Sequence, residues 1–150
     1  MSNILRSAEE RDLESLLAMI RSYFAYDHIP FDEAAIRHSL PDLLQDHKIG
    51  RAWFIQVEGN AVGYLIATYG YDLEFGGPQA TITDFFISPD YRRTGLGTMA
   101  LQAVESELLK GGARAIELQV ETDNLEALAL YTKAGFRPFD RIPMSKRLVK

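Results

Sequence analysis

The sequence predicts an α/β domain built on a mixed sheet, and three observations carry that expectation. Stretches that alternate with a period of two are interleaved with stretches whose apolar residues recur every three or four positions. Two strand-like runs, 52–57 and 61–67, flank Glu58-Gly59-Asn60, a hairpin signature that sets neighbouring strands antiparallel. A third run, 80–88, passes through a Gly-rich turn into a helical pattern, the strand–turn–helix connection of α/β folds. No internal repeat, low-complexity tract or linker interrupts the chain, so residues 1–150 read as a single domain.

The first element is a short strand at Ile4-Leu5-Arg6. Ser7 with Glu10 matches a capping box, and Leu13, Leu16, Leu17 and Ile20 then share one helical face. That helix is expected to end between 23 and 28. Pro30 and Asp32 open a second helix carrying Ala35, Ile36, Leu40, Leu43 and Leu44, in which Pro41 predicts a kink or two short helices. After the hairpin, alternation persists toward Tyr71, and 72–78 reads as a loop returning the chain to the central strand.

The run 80–88 is rich in β-branched and aromatic residues, and Pro89 ends its ladder because it has no N–H to donate. Leu96, Ala100, Ala103, Val104 and Leu108 place a helix start inside the preceding glycines, and Gly111-Gly112 supplies its stop. Ile116, Leu118 and Val120 alternate with Glu117 and Gln119 as a further strand. Asp123 with Glu126, or Asn124 alone, can cap a helix holding Leu125, Leu128 and Tyr131 that stops at Gly135. Two short strands are expected around Phe139 and over 144–149, broken by Pro138 and Pro143.

Composition removes several classes of function. With no cysteine, the chain has no disulfide framework, thiolate metal site or thiol nucleophile, which fits a cytoplasmic protein. His28, His38 and His47 lack paired metal-ligand spacing, so no metal is expected. No signal peptide or membrane-length apolar run is evident, and no membrane partner is expected. A net charge of −5 disfavours nucleic acid and mildly favours cationic partners.

The chemistry concentrates at Arg92-Arg93-Thr94-Gly95-Leu96-Gly97, with Thr98 next in the helix. A strand leading through glycines into a helix aims unpaired N–H groups and the positive end of the helix dipole at one spot. A phosphate suits such a spot, and glycine lets it approach the backbone. The spacing is neither G-x-G-x-x-G nor the P-loop pattern. It matches [Arg/Gln]-x-x-Gly-x-[Gly/Ala] through Arg92, Gly95 and Gly97. Together with the strand before it and the run Asn124 to Phe136 after it, the chain resembles the GNAT superfamily of N-acetyltransferases over most of its length. Residues 84–92 are especially similar to diamine N-acetyltransferases.

The resemblance implies a mixed, mostly antiparallel central sheet flanked by helices, and acetyl-CoA as cosubstrate. It assigns the pyrophosphate to residues 92–98, and the pantetheine and acetyl carbonyl to backbone groups of Phe85, Phe86 and Ile87, with Asn124 close to the cofactor. A carbonyl held by a backbone N–H also has its tetrahedral oxyanion stabilised. Tyr131 occupies the family's position for the acid that protonates the leaving sulfur. A free amine attacks the thioester directly, so no covalent enzyme intermediate is needed.

The sequence departs from the diamine enzymes at Thr83, where they carry a glutamate. Asp84 is the lone charge in 80–88 and needs a partner, water or a raised pKa if covered. It acts as the base, or a water chain does, or Asp84 is structural. Tyr26, Asp27 and His28 fall where the family lines its acceptor cleft, and Asp72 and Glu74 read as solvated loop acids whose place just before the central strand also permits them to attract an amine cation. The expected activity is acetyl transfer to a small-molecule primary amine. A non-catalytic acyl-CoA sensor or scaffold, and an enzyme acting on protein amines, are the alternatives; a homodimer is compatible with each.

Overall fold

The computed structural model describes residues 3–149, which form two compact units, a larger one ending at Gln119 and a smaller one beginning at Val120. The larger unit holds a five-stranded sheet in the order β1 (Leu5–Ser7), β2 (Gly50–Val57), β3 (Asn60–Asp72), β4 (Gly77–Ile87) and β5 (Ile116–Leu118). The first three pairings are antiparallel and the last, β4 with β5, is parallel. A parallel neighbour needs a crossover, and α3 (Leu96–Lys110) provides it.

The hairpin between β2 and β3 turns on Glu58 (φ 52°) and Gly59 (φ 80°), the two positive angles of a tight turn that matches strand twist. The segment 72–78 forms a loop only over 73–76; its ends join β3 and β4, which are correspondingly longer than expected.

Helices α1 (Leu13–Tyr26) and α2 (Glu33–Gln45) cover one sheet face. Leu16 and Ile20 of α1 and Leu40 and Leu44 of α2 are buried against Ala52, Phe54, Tyr64, Ile66 and Phe86. On the opposite face Trp53, Ile55, Leu65 and Ala67 are buried, and α3, which touches β1, buries Leu96, Ala100, Leu101, Val104 and Leu108. The capping box is two residues later than expected. Ser7 stays in the β1 ladder opposite Trp53, and Glu9 N–H bonds Asp12 Oδ2 at 2.9 Å. Helix α2 runs as one segment through Pro41, which forfeits one backbone bond; of the two expected outcomes, a kink or two short helices, the second does not occur. Helix α1 ends with His28 left-handed (φ 56°) and Ile29 N–H bonded to Phe24 O at 2.8 Å, the paired closure that satisfies a helix C-terminus.

In the smaller unit, α4 (Leu125–Lys133) is capped by Asn124, whose Oδ1 accepts from Ala127 N–H at 3.1 Å, and Gly135 (φ 102°) follows its end. The strands expected around Phe139 and over 144–149 are absent. Residues 137–149 lie in no strand, Pro138 and Pro143 cannot donate to a ladder, and Phe139, Ile142, Met144, Leu148 and Val149 are exposed.

Candidate functional site

In the larger unit, the candidates Asp84, Phe85, Phe86 and Ile87 lie on the second half of β4, and the turn 92–98 follows it. Strand β5 pairs with Ala80, Thr81 and Ile82 and no further, so the β4–β5 ladder ends where the site begins. Residues 84–87 continue to pair with β3, holding Phe85, Phe86 and Ile87 in register against Leu65, Tyr64 and Gly63.

A bulge marks the start of this stretch. Ile66 pairs with Asp84 but Ala67 pairs with Ile82, leaving Thr83 as the extra residue. Pleat alternation therefore slips by one: Ile82 joins the face of Leu65 and Ala67, while Asp84 joins that of Tyr64, Ile66 and Phe86. Thr83 is exposed, with its hydroxyl 3.5 Å from the Ile66 carbonyl.

Asp84 is partly covered, and the Tyr64 hydroxyl donates to its Oδ2 at 2.7 Å. Tyr64 has no exposed surface. Its ring meets Tyr23 edge-on at 6.2 Å between centroids and lies 6.2 Å from Phe86. Burial pushes the Asp84 carboxyl above the usual carboxylate range, while the Tyr64 and Thr83 hydroxyls pull against that rise. The Tyr64 phenol is driven well above its ordinary value by burial first and by the neighbouring Asp84 charge second, so it keeps its proton. Tyr64 was not among the sequence candidates. The signal for it was the requirement that a lone acid in an apolar strand have a donor.

From Ile87 the chain passes Ser88 and a 3-10 turn, Pro89–Tyr91, to the phosphate-type turn. Arg93 (φ 60°) and Gly95 (φ 85°) are left-handed, which curls successive N–H groups to one side. Gly95 is the N-cap of α3, and no side chain caps the helix. The first helical bond is Met99 N–H to Gly95 O, so the N–H groups of Leu96, Gly97 and Thr98 precede the ladder. A Cβ at Gly95 would meet nothing within 4 Å. The cradle has room for an anion and donors to hold it. Thr94 turns its hydroxyl back to the Tyr91 carbonyl at 2.8 Å.

Arg92 is held by its own chain on two sides. Its Nε donates to Ile87 O at 2.7 Å, and its guanidinium lies 4.1 Å from the Tyr26 ring centroid and 5.5 Å from that of Phe86. The structure thus brings one acceptor-cleft candidate, Tyr26, against Arg92 at the start of the glycine turn. Asp27 is the C-cap of α1, next to Tyr26.

Asp72 and Glu74 are not brought to this place. They lie at the β3–β4 hairpin, where Asp72 Oδ1 accepts the Glu74 N–H at 2.9 Å. Gly77, opposite Asp72, is seven residues along β4 from Asp84, roughly 23 Å at about 3.3 Å per residue. In the smaller unit, Tyr131 is half-buried on α4 with its ring edge-on to Phe136 at 5.7 Å. Among the described residues no three His, Asp or Glu side chains cluster as metal ligands, and no helix is long and apolar enough to cross a membrane.

Comparison with known proteins bears on this arrangement. The model of the acetyltransferase (GNAT) family matches residues 13–136. The ribosomal protein bS18 alanine N-acetyltransferase of Escherichia coli is 40% identical over 58 residues, which is 39% of this chain and 39% of that protein. The match therefore spans well under half of that curated relative. A crystal structure of an integron cassette protein from the mobile metagenome of Cole Harbour salt marsh aligns with a TM-score of 0.85 and 27% identity, covering 98% of this chain and 91% of that one. AAC(6')-Iy, solved in complex with the bisubstrate analogue CoA-S-monomethyl-acetylneamine, aligns with a TM-score of 0.81 and 17% identity over 97% of each chain, a likeness of fold.

Proposed function

The chain belongs to the acetyltransferase (GNAT) family, and from that premise we propose that it is an acetyl-CoA-dependent N-acetyltransferase acting on a primary amine. The observation that carries the reading is the continuity of β4 with the uncapped N-terminus of α3, with the partly covered carboxylate of Asp84 at the head of the stretch 84–87. The N–H groups of Leu96, Gly97 and Thr98, with Gly95 open beside them, suit the pyrophosphate of CoA. Arg93 adds positive charge to the same turn, and the backbone of Phe85 to Ile87 suits the pantetheine.

In the reaction the ammonium form of the acceptor first loses a proton. Asp84 is suited to take it, because its raised affinity for protons brings it closer to that of an amine. The amine nitrogen then bonds to the thioester carbonyl carbon, the C–S bond breaks, and the departing thiolate takes a proton from Tyr131, while the second N–H proton of the adduct leaves to solvent and an equivalent proton returns to the Tyr131 phenolate. A phenol near pKa 10 and a thiol near about 8.5 make the transfer to sulfur feasible. The family resemblance and the Asn124-to-Phe136 motif support Tyr131 in this role.

A small cationic amine is the preferred acceptor in this reading, supported by the net charge of −5 and by Asp84 itself. The separation of Asp72 and Glu74 from Asp84 puts them beyond a short diamine anchored at the reacting centre. A second acceptor class, the N-terminal amine of a protein, is favoured by the 40% identity to an alanine N-acetyltransferase. The test is thiol release from acetyl-CoA, with the product identified by mass spectrometry. The panel holds a mono-amine, the diamine of equal length and a peptide beginning with alanine. Tight CoA binding with no thiol release for any amine would sink the enzyme reading in favour of a sensor.

A further inference from the structure

We propose that Tyr64 is a positioning residue for Asp84, its hydroxyl fixing Oδ2 so that the other carboxylate oxygen receives the proton of the acceptor amine. The inference rests on the reading of Asp84 as the base and extends it to a residue that neither motif contains.

Three features of the geometry carry it. The 2.7 Å bond from Tyr64 to Asp84 crosses the β3–β4 ladder diagonally, because Tyr64 pairs with Phe86 and Asp84 is two residues back on the same face. The bulge at Thr83 makes this contact, since without it Asp84 would share a face with Leu65 and Ala67. Tyr64 itself cannot swing away. It has no exposed surface and is wedged between the rings of Tyr23 and Phe86. A fully enclosed phenol needs an acceptor for its hydroxyl, and Asp84 is that acceptor.

The groups around the pair are few. Asp84 faces the hydroxyls of Tyr64 on β3 and Thr83 on β4. Tyr64 also feels Tyr23 and Asp27 from the end of α1. The guanidinium of Arg92 lies 5.5 Å from the ring centroid of Phe86, the same-face neighbour of Asp84. In the proton transfer the amine N–H bond breaks and an O–H bond forms on Asp84, while Tyr64 keeps its own proton throughout. The phenol favours the ionised carboxylate against the larger opposing effect of burial, so it lowers the pH below which the base is lost.

The experiment is a pH profile of kcat/KM for the best acceptor, in wild type, Tyr64→Phe and Asp84→Asn. Tyr64→Phe leaves the buried ring in place and removes only the hydroxyl. The acidic limb should then move up by about one pH unit, the size expected when a hydrogen bond to an ionised group is lost. Near the foot of that limb activity falls about tenfold and is regained at high pH, with the KM for acetyl-CoA unchanged. Circular dichroism checks folding, and carbon-13 NMR of the Asp84 carboxyl reads the same upward shift without turnover. A folded Tyr64→Phe protein whose limb and carboxyl titration stay put, or whose activity falls equally at every pH, overturns the proposal. If Asp84→Asn keeps full activity and the same limb, Asp84 is not the base and the positioning role goes with it, while acetyl transfer stands. A wild type that acetylates no amine overturns both.

Discussion

The pairing of Gly63 with Ile87 offers a direct way to ask whether residues 84–87 are the working part of the sheet. A Cβ added at Gly63 would stand 2.2 Å from the Phe86 carbonyl oxygen and 3.1 Å from the Ile87 Cα. Ordinary contacts begin near about 3.5 Å, so β4 must yield by roughly an ångström, backbone against backbone, with no rotamer to absorb it. Overpacking of this kind costs about 1–3 kcal/mol. At about 2–4 °C per kcal/mol for a chain of this size, Gly63→Ala should lower Tm by a few degrees up to about 12 °C. A misplacement of about 1 Å at a reacting centre can cost about 100-fold in rate. Leu44→Ala provides the comparison, because it empties core volume beneath α2, away from β4, and costs about 2–5 kcal/mol. Activity is assayed at a temperature where circular dichroism shows both variants folded. Gly63→Ala should lose kcat/KM by one to two orders of magnitude (roughly, by the same argument) and Leu44→Ala should lose little. Equal losses in the two would show that activity follows stability and that 84–87 has no special part.

Three further outcomes are expected. Gly97→Val, in the first turn of α3, should weaken CoA binding by about 10–100-fold in calorimetry, the range for one or two lost bonds to a charged phosphate, with Tm within a few degrees of wild type and pantetheine binding unaffected. Tyr131→Phe keeps the ring against Phe136 and should lower kcat by about a hundred-fold or more at nearly constant acetyl-CoA KM; wild-type turnover, with chemistry shown to limit the rate, would falsify the acid role. Asp12→Asn should cost about 1–2 kcal/mol at neutral pH, since Asp12 caps through Glu9 N–H and holds both Arg6 nitrogens at 3.0 and 3.1 Å. Arg6 lowers the folded pKa of Asp12, so this stability is present above the ordinary carboxylate range and is lost as pH falls through the folded value. The gap in Tm between wild type and variant should therefore close on acidification.

The parts of the fold readable in sequence were those decided locally. The helix starting inside the glycines, the Glu58-Gly59 hairpin and the Asn124 cap each depend on a few adjacent residues with one favourable geometry. The errors arose where a distant partner decides. Ser7 looks like a cap, but the β1 ladder claims it opposite Trp53, and Asp12 takes over because Arg6 is there to hold it. Residues 77 and 78 look like loop, with Gly and Pro, yet they continue β4 because Tyr71 and Asp72 face them. Asp84 could be singled out from its charge alone, whereas its partner could not, because a one-residue bulge decides which face it shares.

Arg92 shows how a motif residue can also be built into the fold. Its Nε is occupied by the Ile87 carbonyl, and one face of its charged plane lies over the Tyr26 ring. Exposed arginines gain little from one such contact, but here a single side chain joins the end of β4, the turn before α3 and the last residue of α1. In the proposed reading, backbone N–H groups at Leu96, Gly97 and Thr98 share phosphate recognition with the Nη groups of Arg92. The guanidinium also fixes the Tyr26 ring relative to the end of β4. Lysine could supply the charge at this position but not the planar stack together with the Nε bond, which is a physical reason for arginine where the motif begins.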